Sequence, residues 1–220
     1  MENDIILIDK PAGISSFGVV AKVRAFLRDQ FGHKVKVGHT GTLDPFATGL
    51  LILLSGKMTK KSNDFLKLDK TYEATLKLGS TSTTGDPEGE ITHINDSVPS
   101  ISQIESAINS FLGTITQTPP KYSAIKINGE RAYKLARKGQ DFEIPSRQVK
   151  IYSIDILNYS YPELTIRCHV SSGTYIRTLA EDIGKKLNTG AYLTSLRRTQ
   201  IGNYSITNAK KLSDFNKSSF

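Results

Sequence analysis

Residues 38–51 read GHTGTLDPFATGLL, a loop rich in glycine and threonine that runs directly into the apolar segment Leu50–Leu54. The three glycines allow the backbone to turn sharply and to approach a ligand closely. Because Asp44 precedes Pro45, its backbone favours an extended conformation over a helical one. The stretch therefore predicts a buried strand behind a rigid loop that carries a carboxylate. On local chemistry alone, the more common role of such an aspartate is to cap a turn.

On the N-terminal side of this loop, the sequence predicts one strand and one helix. The β-branched run Ile5–Ile8 ends before Pro11, which is typical of a buried strand. Ser15 or Ser16 is expected to cap a helix. The apolar residues with helical spacing in this helix are Phe17, Val20, Val23 and Leu27.

On the C-terminal side, strands and helices are mixed without a regular β-α-β rhythm. Ser102 and Glu105 have the spacing of a capping box and predict the start of a helix. The other expected elements are strands over 72–78, 122–127, 149–159, 164–170 and 193–199 and helices over 131–138 and 174–187. This mixture predicts an α+β fold with a largely antiparallel sheet rather than a doubly wound one.

Charge and composition favour a nucleic-acid partner and exclude several other classes. The 220-residue chain carries a formal net charge of +8, which favours polyanions. The segment Lys121–Lys150 contains eight basic and only three acidic residues, as expected of either a phosphate-binding patch or a solvated face. Cys168 is the only cysteine, so an internal disulfide and a cysteine-rich zinc site are excluded. No apolar run approaches the roughly 20 residues needed to cross a bilayer, and no signal peptide is visible, so a cytoplasmic location is expected.

Two further segments contain candidate functional side chains. In SGTYIRTLAEDIG, residues 172–184, Tyr175 and Arg177 would point to the same side if the segment is extended. An arginine can hold a carboxylate ionised, but a structural salt bridge with Tyr175 in the core explains the same pattern. In KTYEA, residues 70–74, Tyr72 has the chemistry to stack on a base, and a core position explains it equally well. No nucleotide, nicotinamide or metal-binding signature occurs, so no cofactor is expected.

Seven segments resemble, in order, the motifs of the TruB family of tRNA pseudouridine synthases, and the resemblance extends from about Asp4 to Leu212. The segments are KPAGISS, GHTGTLDPFATGLL, KTYEA, TTGDPEG, PPKYSAIKINGERAYKLARKG, SGTYIRTLAEDIG and LRRTQIG. The resemblance implies an isomerase that converts uridine to pseudouridine at position 55 in the T-loop of tRNA, without cofactor or metal.

The resemblance also implies how the reaction proceeds. The target nucleotide is flipped out of the loop, the N1–C1′ bond breaks, the uracil turns while bound, and a C5–C1′ bond forms. Asp44 would be the catalytic carboxylate; attack on C1′ and removal of a ribose proton both remain open. Arg177 would pair with Asp44 and orient it.

The remaining side chains that the family pattern assigns would surround the target base. Tyr175 would lie against the base and handle the C5 proton. Tyr72 would stack on the flipped uracil, and Leu196 would pack against the base pocket. His39 would help to hold the flipped conformation, although a lone loop histidine is more often a surface residue.

The implied fold is of the pseudouridine-synthase type: a single catalytic domain over residues 1–215, with a mixed, largely antiparallel sheet flanked by helices and a short polar tail at 216–220. Many bacterial members carry a further C-terminal RNA-binding domain of the PUA type, and such a domain is not expected in this chain. The basic segment, with Lys185, Lys186, Arg197 and Arg198, is therefore expected to supply more of the phosphate contacts. A monomer acting on the tRNA T-arm, without metal or membrane, is expected.

Two alternatives remain open at this point. The first is a binding module, an RNA-folding chaperone that grips the T-arm. The second is a relative that modifies ribosomal RNA under a guide RNA. A glycoside hydrolase is a more distant third, because hydrolysis normally uses a pair of carboxylates.

Overall fold

Strands and helices alternate irregularly over residues 1–216, the part of the chain described by this computed structural model. The helices are α1 (Ser16–Phe31), α2 (Ser62–Leu66), α3 (Ile101–Asn109), α4 (Ala132–Arg137) and α5 (Ile176–Lys186). The strands are β1 (Ile5–Lys10), β2 (Val37–His39), β3 (Thr48–Ser55), β4 (Lys70–Leu78), β5 (Ser80–Ser82), β6 (Ile91–His93), β7 (Gly113–Gln117), β8 (Lys126–Ile127), β9 (Glu130–Arg131), β10 (Arg147–Ser160), β11 (Glu163–Val170), β12 (Ala191–Ile201), β13 (Tyr204–Ser205) and β14 (Lys210–Lys211).

The chain divides into two units. The first unit consists of Met1–Tyr72 and the described part of Leu196–Phe220, and the second is Glu73–Ser195. The expectation of a single catalytic domain over residues 1–215 stays a prediction. Of the expected polar tail, only Asn216 belongs to the described residues, and 217–220 lie outside them.

In the first unit, β3 lies at the centre of a mixed sheet. It pairs antiparallel with β1 and with β2, and parallel with β12, while β14 pairs parallel with β1. Both faces of β3 are covered: Leu51 and Leu53 pack with the core under α1, and Leu50 and Ile52 pack in a second cluster that includes Phe65. This double burial explains why Leu50–Leu54 is apolar without alternation.

Helix α1 begins where the sequence predicts but turns a different face to the core. The Ser15 side chain accepts a hydrogen bond from the Gly18 amide at 3.0 Å and caps the helix. Val20, Val23 and Leu27 are buried as expected, whereas Phe17 is 65% exposed. The buried face begins at Ser16, whose hydroxyl binds the Leu43 backbone, so Phe17 is turned about 100° away from it.

In the second unit, the strand order is β4-β11-β10-β7, with antiparallel pairing of β10 to β11 and to β7. Helices α3 and α5 contact each other, and α3 contacts β10. Their buried residues are Ile104, Ala107 and Ile108 from α3 and, among others, Ile176, Leu179, Ala180 and Ile183 from α5. The prediction of an α+β fold with helices flanking a mixed, largely antiparallel sheet is confirmed.

Two predicted helix starts in the second unit are wrong. The capping box of α3 is formed by Ser100 and Gln103, two residues before the predicted Ser102 and Glu105. Helix α5 begins at Ile176 rather than Thr174, because Tyr175 still has an extended backbone. None of the helices among residues 1–216 is long and apolar enough to cross a bilayer.

Candidate active site

The loop that carries Asp44 is held by buried polar side chains of the first unit. The buried Lys10 ammonium donates to the carbonyls of Pro45 at 3.1 Å and Ala47 at 2.7 Å. Ser16 binds both backbone groups of Leu43, with its hydroxyl donating to the carbonyl at 2.9 Å and accepting from the amide at 2.8 Å. The residues directly before and after Asp44 are therefore fixed, and Asp44 itself is half-buried.

Arg198 of β12 holds the same loop from its other end. Its guanidinium donates to the carbonyls of Leu50 at 2.8 Å and Gly41 at 3.1 Å, and it is 2% exposed. The prediction of a phosphate contact by Arg198 is therefore wrong, because the charge is buried among backbone carbonyls. Its neighbour Arg197 is part-exposed and forms a two-nitrogen contact with the Asp9 carboxylate.

The other predicted site residues of the first unit lie on strands. His39 ends β2, and its Nδ1 accepts a long hydrogen bond of 3.4 Å from the Gly41 amide. Tyr72 and Leu196 are both buried, on β4 and β12 respectively. Burial of Tyr72 agrees with a core position as well as with a stacking role, so its function stays a prediction.

Lys70 is a buried cation two residues from Tyr72. Its ammonium donates to the carbonyls of Leu66 and Leu68. Burial, together with the nearby Arg198 charge, lowers the pKa of Lys70 to about 8, while Asp69 acts in the opposite direction. Tyr72 therefore follows a lysine whose charge is destabilised by its surroundings.

In the second unit, Arg177 has an acidic partner that the sequence analysis missed. Its guanidinium lies 3.2 Å from the Asp86 carboxylate and donates to the carbonyls of Thr84 and Tyr122 at 2.9 and 2.8 Å. The side chains of both Arg177 and Asp86 are at least 95% buried. Asp86 also accepts hydrogen bonds from the Thr84 hydroxyl and the Glu88 amide. The predicted pairing of Arg177 with Asp44 stays a prediction.

Asp86 was visible in the sequence as part of the turn TTGDPEG. Like Asp44, Asp86 is followed by a proline in a glycine-containing segment. This pattern indicated a functional role for Asp44, and it applies to Asp86 as well. A buried arginine needs charge compensation, so an acidic residue in another glycine-containing turn was the available signal.

Tyr175 is held by its backbone and covered by a cation. The buried Gln117 side chain accepts from the Tyr175 amide at 2.7 Å and donates to its carbonyl at 3.0 Å. The Arg147 guanidinium carbon lies 4.9 Å from the centre of the Tyr175 ring. The prediction that Tyr175 and Arg177 lie on one extended segment and point to the same side is wrong. Tyr175 precedes α5, and Arg177 belongs to the first turn of that helix.

Glu181 lies one turn after Arg177 on α5, and the charges of Arg177 and Asp86 both act on its carboxyl group. Burial raises the pKa of its carboxyl group, and the negative charges of Asp182 and Asp86 act in the same direction, against Lys185 and Arg177. Glycine suits position 85, because its φ of +73° lies in the left-handed region, which glycine adopts without strain.

The basic segment Lys121–Lys150 is partly neutralised within itself. Lys138 forms a 2.7 Å ion pair with Glu130, and Lys121 lies 3.9 Å from Asp141. Lys134 and Arg137 of α4 are exposed. Among the described residues, no group of three or more His, Cys, Asp or Glu side chains is arranged to hold a metal ion.

Two family models together cover most of the chain. Residues 28–176 match the model described as TruB family pseudouridylate synthase (N terminal domain), and residues 177–220 match the tRNA pseudouridylate synthase B C-terminal domain.

Named relatives agree with these models. The chain is 46% identical over 211 residues to a tRNA pseudouridine synthase B from Cupriavidus pinatubonensis, covering 94% of this chain and 65% of the relative. It is 43% identical over 221 residues to a tRNA pseudouridine synthase B from Phocaeicola vulgatus, covering 97% of this chain and 92% of the relative. The chain thus spans about two thirds of the first relative and almost all of the second.

Solved structures show the same fold. A chain of a Cbf5-Nop10-Gar1 complex superposes with a TM-score of 0.74 at 30% identity, covering 97% of this chain and 53% of that one. A chain of an H/ACA RNP bound to a substrate RNA containing 2′-deoxyuridine gives a TM-score of 0.70 at 28% identity, covering 96% and 51%.

Proposed function

Because the chain belongs to the TruB family of pseudouridylate synthases, we propose that it isomerises uridine to pseudouridine at position 55 in the T-loop of tRNA. The observation that carries this proposal is the braced loop around Asp44. Its backbone is fixed on both sides by Lys10 and Ser16, while Asp44 itself stays half-buried. A carboxylate on a rigid backbone is what a reaction at one defined carbon atom requires.

The chemistry needs a carboxylate, a base pocket and the exclusion of water. Asp44 is the catalytic carboxylate, and Arg177 keeps it ionised and oriented. Tyr72, Tyr175 and Leu196 enclose the flipped uracil, and His39 supports the flipped conformation. Because the uracil is retained and rejoined through C5, no leaving group departs and no second carboxylate is needed. Enclosure excludes the water that would otherwise attack C1′ before the uracil rejoins it.

The proposal includes action by a monomer in the cytoplasm, on tRNA alone and without cofactor or metal. Exposed cations such as Lys134 and Arg137 supply phosphate contacts. The structural similarity to Cbf5 supports a second candidate, guide-dependent modification of another RNA. The identities of 43–46% to tRNA pseudouridine synthases are higher than the 30% to Cbf5 and favour tRNA.

The test is pseudouridine mapping on an unmodified tRNA transcript. The purified protein, alone, is incubated with the transcript, and carbodiimide-dependent primer extension locates the product. A single stop at position 55 that disappears with Asp44→Asn is expected. Binding without a stop would favour the guide-dependent candidate, and an Asp44→Asn variant as active as wild type would remove the assigned carboxylate.

A further inference from the structure

We propose that Arg198 is a positioning residue, which sets the shape of the Asp44 loop and the place of the Tyr72 ring at the same time. The inference rests on the proposed function and deepens it. Arg198 was expected to bind phosphate, but its side chain is buried. Phosphate binding therefore does not explain why a charged residue lies at this position.

The guanidinium joins the start of the loop to the strand behind it. Nε donates to the carbonyl of Leu50, a residue of the buried strand β3, and Nη2 donates to the carbonyl of Gly41 in the loop. The two bonds use different nitrogens of one rigid planar group. A lysine ammonium is a single point of charge and does not reproduce this fork.

The backbone of Arg198 fixes the other end of the loop. Arg198 lies opposite Gly49 in the parallel pairing of β12 and β3. The approach is so close that a Cβ at Gly49 would lie 2.3 Å from the Arg198 carbonyl oxygen, and Gly49 has a φ of +103°. One residue therefore holds Gly41 through its side chain and Gly49 through its main chain, with Asp44 between them.

Burial of the Arg198 charge is energetically unfavourable, which favours a specific role for the guanidinium over simple packing. Burying a guanidinium without a carboxylate partner costs several kcal/mol unless hydrogen bonds compensate for it. The Arg198 charge also contributes to the lowered pKa of Lys70. An apolar side chain would fill the space at lower cost, but it would leave the Gly41 and Leu50 carbonyls without this donor.

The same guanidinium is also close to Tyr72. Its carbon atom lies 6.0 Å from the centre of the Tyr72 ring, at the outer limit of a cation–π contact. Arg198 thus contacts the loop that carries the proposed carboxylate and the ring proposed to stack on the base. This double contact favours a positioning role over simple packing.

The test compares Arg198→Lys and Arg198→Met with Arg28→Lys. Arg28 is an exposed arginine of helix α1 in the same unit, and its side chain pairs with the adjacent Asp29. Single-turnover rates are measured at saturating tRNA transcript, binding is measured by filter retention, and each Tm is recorded so that every assay runs below it. We expect Arg198→Lys to lower the rate constant about 10- to 100-fold with Kd changed less than about twofold, and Arg28→Lys to leave the rate nearly unchanged.

Leu27→Ala is the control for general destabilisation, because Leu27 is fully buried in the core of the same unit but belongs to helix α1 rather than to the Asp44 loop. If Arg198→Lys has the wild-type rate, or if its rate falls no more than that of Leu27→Ala at a similar loss of Tm, the inference is wrong and the proposed function stands. Equal losses in rate and binding also overturn it. A wild-type protein that forms no pseudouridine overturns the proposed function, and the inference with it. If Arg198→Met does not fold, Arg198→Lys decides the question.

Discussion

At the scale of single residues, the buried ion pair of Arg177 and Asp86 is the most consequential contact of the second unit. Each partner compensates the desolvation of the other, and Arg177 additionally satisfies the carbonyls of Thr84 and Tyr122. Removal of one partner leaves the other charge buried and unpaired, which is much more costly than removal of a surface pair. The pair therefore makes Arg177 rigid before any substrate arrives.

The first prediction concerns this pair. Arg177→Met is expected to lower the free energy of unfolding by about 3–5 kcal/mol, because the Asp86 carboxylate stays buried without its cation. Adding Asp86→Asn to that variant is expected to recover part of the loss. Urea unfolding measures both. The control is Arg167→Met, since Arg167 and Glu73 form a part-exposed pair worth about 1 kcal/mol or less. Similar losses in Arg177→Met and Arg167→Met would contradict the prediction.

The second prediction concerns the pH dependence that Lys70 gives to stability. Burial lowers the pKa of Lys70 from the usual 10.5 of a lysine to about 8 in the folded protein. Below pH 8 the folded state bears the cost of a buried charge, and above about pH 10.5 the lysine is neutral in both states and the cost is absent. The unfolded state binds more protons between these limits, so stability rises with pH there.

Comparison with Lys70→Met isolates this effect, because all other titrating groups are shared. The free energy of unfolding of wild type, minus that of the variant, is expected to rise by on the order of 2 kcal/mol between pH 8 and pH 10. Denaturant unfolding at several pH values measures the difference. A difference that is independent of pH would show that the Lys70 pKa is not lowered.

At the scale of secondary-structure elements, the ends of helices decide which side chains reach the site. Helix α5 places Arg177 in its first turn because Tyr175 remains extended, held on both sides by Gln117. Helix α3 begins at the capping box of Ser100 and Gln103, directly after Pro99. A shift of either start by two residues would turn a different face towards the sheet.

The third prediction tests the start of α3. Ser100→Ala is expected to lower the free energy of unfolding by about 1 kcal/mol, because the Gln103 amide loses its acceptor. Ser102→Ala, at the position that the sequence had favoured, is expected to cost only a few tenths of a kcal/mol. Thermal unfolding of both variants is sufficient. A larger loss for Ser102→Ala would place the cap where the sequence analysis put it.

Much of the element order was predictable, because it depends on local patterns. The apolar run Leu50–Leu54 predicted a buried strand, and the pair Ser15 and Ser16 predicted the start of α1, where Ser15 is the cap. The errors involve competition between equivalent local signals: Ser100 and Ser102 both stand three residues before a Gln or Glu. The orientation of α1 depended on Ser16 binding Leu43, a contact across 27 residues that periodicity does not contain.

The candidate site was predictable only through its resemblance to a family. Local chemistry left Asp44 as either a turn cap or a catalytic group, and the structure adds the Lys10 and Ser16 contacts that brace it. Asp86 and Arg198 were misjudged because burial is a tertiary property. A basic residue in a charged segment suggests phosphate binding until the structure shows carbonyls around it.

At the scale of the whole molecule, the net charge of +8 predicts that RNA binding is driven by release of counterions. Only cations that are exposed and not held in an ion pair within the protein contribute fully to RNA binding by counterion release. Lys138 is held by Glu130 at 2.7 Å, whereas Lys134, four residues earlier, is exposed on α4. The structure therefore separates two lysines that both belong to the basic segment Lys121–Lys150.

The last prediction follows from that separation. Lys134→Glu is expected to weaken binding of the tRNA transcript about tenfold at moderate salt and to lower the slope of log Kd against log salt by about 1. Lys60→Glu, an exposed lysine of the first unit outside the basic segment, is the matched control and is expected to change the slope less. Lys138→Glu is expected to fall between them, because the ion pair with Glu130 already reduces the contribution of the Lys138 charge to RNA binding. Filter binding over a series of salt concentrations measures all three variants, and a slope unchanged by Lys134→Glu would mean that α4 does not contact RNA phosphates.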